Sequence, residues 1–518
     1  MRRRGRPIAL SFAFAVAAIA VARTQGRGGP NWTTTGGDAQ RTSWVKTDPR
    51  ISRESMQKPG FQLLWKSRLE NQPRQLESLT QPMLLSNIIS YKGFKALAFV
   101  GGSSDNVYSI DYDLNKMFWK RHLNTLPPAA GSLACPGAMT TITRATPLGA
   151  AMPPAPAGAP APPGPRGGNT NVYAISSGGQ LHTLNPQTGD DLSPPVKLLP
   201  PNAKAIGAVL IDPILYVSTR DGCGSAPNGV YALDLSSNPK QVTRWEANGA
   251  NVVGSAGPTF GTDGNLFVAT DGGAAASSND ANAVVALDRL TLKPKDWFSP
   301  GKTAFTASPV AFQYKGKHLI VAANADGRLY VLDAASLGGA DHRTPLSASA
   351  PYSTSADFAT GALATAEGAD GSRWIFLAAG PLRPDSTVTF SSTNGAVTTG
   401  AIAAYKLVDQ AGAPTLQPAW TSRDMVSPAP PTIVNGVVFA ISSGEYRGAD
   451  AQMAAQRVQR SKPAVLYALD AATGKELWSS GTTIASFVRG VAPSAGDGQV
   501  YVVTFDGTVY AFGIPLEH

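Results

Sequence analysis

The sequence predicts an all-β protein built from repeated sheets, and three observations predict it. A short unit of apolar strand, Asp-headed turn and Trp-bearing strand recurs, as LYALDAATGKELWSS at 466–480, VYSIDYDLNKMFW at 107–119, VYALDLSSNPKQVTRW at 230–245 and VVALDRLTLKPKDWF at 284–298. Gly (53) and Pro (41) are abundant while charged residues are only 15%, a mix that suits many short strands joined by turns. Hydrophobic residues reach 43%, enough for a buried core along the whole array.

In chain order, residues 1–22 read as a signal peptide. Arg2, Arg3, Arg4 and Arg6 form a positive region, Ile8–Ala22 is uncharged and short for a membrane span, and Ala20-Val21-Ala22 supplies a cleavage site. Removing those four arginines takes the formal charge from +9 to about +5. No basic run with interleaved aromatics follows, so nucleic acid is a poor partner. Nor does a later segment approach membrane-span length. The expectation is a periplasmic or secreted monomer with no membrane span in the mature chain.

Residues 23–60 form an N-terminal extension, and 61–518 the repeat array. Eight units begin near Thr80, Ala145, Ala205, Ala256, Ala307, Asp357, Ser427 and Ala492, here numbered one to eight. Each offers four strands, in the order innermost, second, third and Trp-bearing outer. A spacing of about 50–65 residues fits four-stranded propeller blades with some long loops. A parallel β-helix is the alternative, but its coils are shorter. Unit eight stops at VYAFGIP without an outer strand, and FQLLWKSRL (61–69) is an outer strand without a unit. The prediction is an eight-bladed β-propeller closed by its N-terminal strand, which would remove exposed sheet edges.

Trp65, Trp119, Trp245, Trp297, Trp420 and Trp478 fall at the outer-strand position. A Trp there buries a large surface between neighbouring blades while its N–H seeks a carbonyl. Units two and five carry none, so their seams must rely on other contacts. Loops are uneven: insertions between second and third strands of units four, six and seven gather on one face, where AQMAAQRVQR suits a short helix. The Pro/Ala tract at 153–168 joins the first two strands of unit two on the opposite face.

The repeat YALDAATGKELW resembles the pyrroloquinoline-quinone (PQQ) repeat. The stretch NWTTTGGDAQRTSW (31–44), with Trp32, Gly36, Gly37, Asp38 and then Trp65, is similar to the start of quinoprotein alcohol dehydrogenases. That resemblance implies an exported propeller holding PQQ, usually with calcium, and oxidising an alcohol or sugar. Assembly scaffolds of the BamB type share the repeat without a quinone, which implies instead a non-catalytic propeller binding a periplasmic protein or polymer.

The chain departs from the dehydrogenases in its cysteines. Such enzymes commonly hold PQQ against a bridge between adjacent cysteines, whereas this sequence has only Cys135 and Cys223. In an exported chain these two are expected to pair with each other. No metal-ligand spacing appears among the histidines. Asp111-x-Asp113-x-Asn115 opens like a calcium loop but lacks its Gly and Glu, so a polar turn is the expectation. The candidates for a small anionic ligand or for PQQ are Arg144, Lys302 and Arg489, each expected just before an inner strand. Otherwise they bond loop carbonyls, or pair with Asp357 or Asp424.

Overall fold

A computed structural model describes residues 32–90, 93–123, 131–136, 141–152, 169–273, 280–353, 361–368 and 370–515. The signal peptide, the 153–168 tract and Asp357 lie outside them. The described chain is all-β apart from short helical turns and the helices Arg53–Met56, Leu148–Ala151 and Ala454–Arg460. The last falls in the AQMAAQRVQR insertion. No helix among the described residues is long and apolar enough to cross a membrane.

Within each unit the four main strands pair consecutively and antiparallel, and unit six adds Ser392–Thr393 in parallel with its fourth strand. Unit one runs Met83–Ser90, Gly93–Gly101, Asn106–Asp111 and Lys116–His122. Unit eight supplies Ser494–Gly496, Gln499–Val503 and Thr508–Gly513. Its fourth strand is Gln62–Arg68, antiparallel to Thr508–Gly513 with Gln62 opposite Gly513 and Arg68 opposite Thr508. The first strand of unit two is Thr141–Pro147, so Arg144 lies inside it rather than ahead of it.

The repeated Asp has a local cause. Where a third-to-fourth turn carries it, its carboxylate accepts backbone N–H groups two or three residues on, replacing ladder bonds lost at the bend. Asp470 Oδ1 takes Ala472 N (2.9 Å) and Thr473 N (3.0 Å), Asp288 Oδ1 takes Leu290 N and Thr291 N, and Asp234 Oδ1 takes Ser236 N. Gly474 then turns at φ +71°.

All six tryptophans lie in fourth strands. Beside five of them the ladder slips by one residue, as between Leu63 and Trp65 or Ala404 and Tyr405 opposite Trp420. A bulge of this kind re-aims the side chain. The indole then reaches the next unit. Trp119 Nε1 donates to Pro186 O (2.8 Å), Trp420 Nε1 to Ala471 O (2.9 Å) and Trp65 Nε1 to Tyr112 O (3.0 Å). Two of these receiving turns need glycine: a Cβ at Gly189 would stand 2.7 Å from Trp119, and one at Gly474 2.3 Å from Trp420. Unit eight has no such turn, and Trp478 packs instead on Phe61 (4.9 Å) and Phe512 (5.6 Å). Trp297 stacks on His342 of unit five at 3.6 Å.

Units two and five lack the Trp, and their seams are made from backbone. Thr141–Pro147 pairs in parallel with Ala205–Asp212 of unit three, merging two units into one eight-stranded sheet. Ala307–Ser308 of unit five pairs in parallel with Gly361–Ala362 of unit six.

Candidate functional site

The first strands of the units face a segment that the repeat pattern does not contain. Residues 32–45 lace along them in unit order. Trp32 O accepts Leu84 N of unit one (2.9 Å), and Thr33 O accepts Arg144 N of unit two (2.7 Å). Thr34 Oγ1 donates to Ala208 O of unit three, and Ala39 O accepts Phe260 N of unit four. Gln40 O, Thr42 O and Ser43 O accept Ala311 N, Thr365 N and Ile433 N of units five, six and seven. Gly36 N donates to Gln81 Oε1, whose Nε2 donates to Pro493 O ahead of the first strand of unit eight. One segment therefore touches the first strands of units one to seven and reaches unit eight through Gln81.

The W-x-x-x-G-G-D residues make that path possible. Gly36 and Gly37 sit at φ +79° and +89°, and a Cβ on Gly37 would press on the Trp32 ring at 3.3 Å. Asp38 accepts Thr42 N (2.9 Å) and the Thr42 hydroxyl. Burial pushes its carboxyl above the ordinary value, against the pull of those bonds. Arg41, 1% exposed, donates to Thr34 Oγ1, Thr35 O, Gly207 O and twice to Pro258 O. Burial brings its guanidinium down to about 9. Its five donors in a fixed fork suit this clamp on units three and four.

The three basic candidates have separate surroundings. Arg144 is 3% exposed; its Nη1 donates to Leu84 O (2.6 Å), its Nε has no partner, and burial lowers it to about 10. Arg489 ion-pairs with Glu445 (2.6 Å) and lies 3.7 Å from Glu77. Glu445, fully buried, also binds Arg447 at 2.8 Å. Burial opposes its charge, yet Arg447 and Arg489 outweigh that and hold its carboxyl below the ordinary value. Lys302 is exposed. No hydrogen bond or ion pair between described residues joins the three. Asp424 is engaged by Thr398, Thr399 and Gly400.

Cys135 and Cys223 are disulfide-bonded with Cα atoms 5.4 Å apart, across the seam between units two and three. Asp111 is paired with Lys95 at 2.9 Å. Arg41, Gln81 and Glu445 were not singled out by the sequence. Arg41 had a visible signal in its place within the GGD stretch; Glu445 sits in an irregular insertion with none.

No curated protein matches the sequence. A family model described as outer membrane protein assembly factor BamB matches residues 419–514. Among solved structures, the quinohemoprotein alcohol dehydrogenase from Comamonas testosteroni is 15% identical, covering 94% of this chain and 82% of its own, with a TM-score of 0.54. A europium-containing methanol dehydrogenase is 11% identical, covering 95% of this chain and 99% of its own, at 0.56. A quinohemoprotein alcohol dehydrogenase from Pseudomonas putida is 12% identical, covering 94% and 82%, at 0.53. At such identities the likeness is one of fold. The chain is a propeller-type repeat protein, similar in fold to quinoprotein dehydrogenases and, over 419–514, in sequence to the BamB assembly-factor family.

Proposed function

We propose that the eight units form one ring of four-stranded blades, completed by Gln62–Arg68, and that the ring serves as an exported binding scaffold for a protein or polymer. The observation that carries this reading is the lacing of 32–45 along the first strands. The chain's own backbone takes up the hydrogen-bonding groups that would otherwise face a ligand on the axis. At the start of the first strands the units also meet directly. Ser255 N bonds Gly361 O, and a Cβ on Gly361 would touch Ser255 of unit four at 3.2 Å and Pro430 of unit seven at 3.4 Å.

The residues present do not fit PQQ with calcium. A flat tricarboxylate needs convergent cations and a stacking platform. Arg489 is ion-paired with Glu445, Lys302 is exposed, and Arg144 is buried with its Nη1 on the Leu84 carbonyl, so the three do not converge. The two cysteines bridge distant residues rather than neighbours. Among the described residues no three His, Cys, Asp or Glu side chains gather as a metal set. The match of 419–514 to the assembly-factor family and the insertions on one face support the scaffold.

The decisive experiment adds PQQ and calcium to purified protein and follows absorbance and alcohol-dependent dye reduction. The expected result is no saturable spectral change and no dye reduction above background. Saturable uptake with alcohol-dependent reduction would overturn the reading in favour of a quinoprotein oxidoreductase. Export is checked by sequencing the mature N-terminus, expected at Arg23, and the monomer by light scattering.

A further inference from the structure

A cleft of about 820 Å³ lies where both ends of the array meet, and none of residues 32–45 lines it. Its walls are the connection after Gln62–Arg68, the end of the unit-seven insertion at 458–463, the link into unit eight at 485–487 and the turn at 505–506. Cavities of this size accept small organic molecules.

Its chemistry is specific. Phe487 and Phe505 stack at 4.6 Å and 19°, tied by a bond from Phe505 N to Phe487 O. Phe487 is buried and Phe505 only half-buried, so the stack has an open end for another flat ring. Arg68 and Lys462 line the same cleft, and neither has an acidic partner among the described residues. Of the two acids there, Glu70 is held by Lys120 at 2.6 Å, and Asp506 is turned to its own loop, accepting Thr504 Oγ1 and Thr508 Oγ1, so that Arg68 and Lys462 leave the lining with one net positive charge. Aromatic surface beside two cations that no ion pair holds among the described residues, in a lining of net positive charge, favours an anion with a planar body.

We propose that this cleft binds small aromatic carboxylates, with the ring against Phe505 and the carboxylate between Arg68 and Lys462. Because it stands off the first strands, its test is independent of the scaffold reading: failure here leaves that reading intact, and PQQ uptake would leave this site intact.

The test uses 2-naphthoate and the full chain in titration calorimetry. Saturable binding is expected, with 2-naphthalenemethanol, the neutral analogue, weaker by about tenfold or more. The R68Q/K462Q double variant should lose about tenfold in naphthoate affinity with an unchanged melting temperature, since both side chains are exposed. F505L, which keeps an apolar side chain in the turn, should weaken acid and alcohol alike. Absence of saturable binding, equal affinity for acid and alcohol, or full affinity in the double variant would each overturn the proposal.

Discussion

The seam between units six and seven and the seam between units two and three join neighbours by different means. In the first, one side chain does it: Trp420 lies over Gly474 and donates to Ala471 O. In the second there is no tryptophan. Backbone strands pair in parallel from Leu210↔Ala145 to Asp212↔Pro147, and a disulfide spans the same two units. The seam between units five and six repeats the second solution, with Ala307–Ser308 against Gly361–Ala362. The lesson is that a repeat can lose its packing residue where first strands come close enough to exchange hydrogen bonds. Side-chain docking holds neighbours by apolar area and one carbonyl, whereas parallel pairing fixes register directly.

The largest effect should come from removing what serves every seam. Deleting residues up to Lys66 strips the laced segment and the fourth strand of unit eight. It should abolish cooperative unfolding in circular dichroism; a melt like that of the intact chain would dismiss both the lacing and the ring closure. Arg41→Ala is the milder version, leaving buried carbonyls of units three and four without donors, at about 3–5 kcal/mol.

Next is the backbone-made seam. C135S/C223S opens a loop of 88 residues, for which chain entropy gives about 4–5 kcal/mol as an upper figure. Intact mass with alkylation before and after reduction establishes the bridge in solution, and two alkylated thiols without reductant would remove it. A small loss on chemical denaturation would show that the parallel ladder alone suffices there.

A third means of joining neighbours is ionic. Glu445→Gln takes from the half-buried Arg447 and Arg489 the carboxylate they share, leaving Arg489 the longer 3.7 Å contact with Glu77, a change worth about 1–3 kcal/mol at neutral pH. The sign with pH follows from the depressed Glu445 carboxyl. Its stabilisation is complete above the ordinary glutamate value of 4.5 and is lost as pH falls through the lower folded-state value. The gap between parent and E445Q should therefore narrow in acid; a gap constant down to about pH 2 would contradict the pairing.

The smallest effect isolates the tryptophan mode. Trp420→Phe should cost about 1–3 kcal/mol, through lost area and an undonated Ala471 carbonyl. Gly474→Ala, at φ +71° and 2.3 Å from the indole, should cost less in the W420F background than in the parent. Additive losses in the double-mutant cycle would show that ring and glycine do not share a contact.

Much of this was legible without coordinates. The Asp of YALD, the Thr-Gly-Lys turn and the Trp are local devices, and each carries its partner within a few residues or in the equivalent turn of the next unit. The orphan FQLLW strand was legible because a repeat array reveals what it lacks. The candidate site was read less well. Arg144, Lys302 and Arg489 share a sequence context ahead of or within first strands, yet their surroundings are set by groups far away in the chain: Leu84 for Arg144, and Glu445 with Glu77 for Arg489. A basic residue in a sequence shows its charge and not whether a carboxylate is already bound to it.

The sequence by itself determined the all-β class, the four-strand unit and the positions of its turns, because strand alternation, Asx turns and glycine conformations are set by near neighbours. Only the tertiary structure decided what occupies the space along the first strands. Residues 32–45 carry no repeat and little regular secondary structure. Their conformation comes from bonds to strands between about 40 and 400 residues further on. Such partners meet only once the units stand side by side, and no window of the chain contains both ends of those bonds.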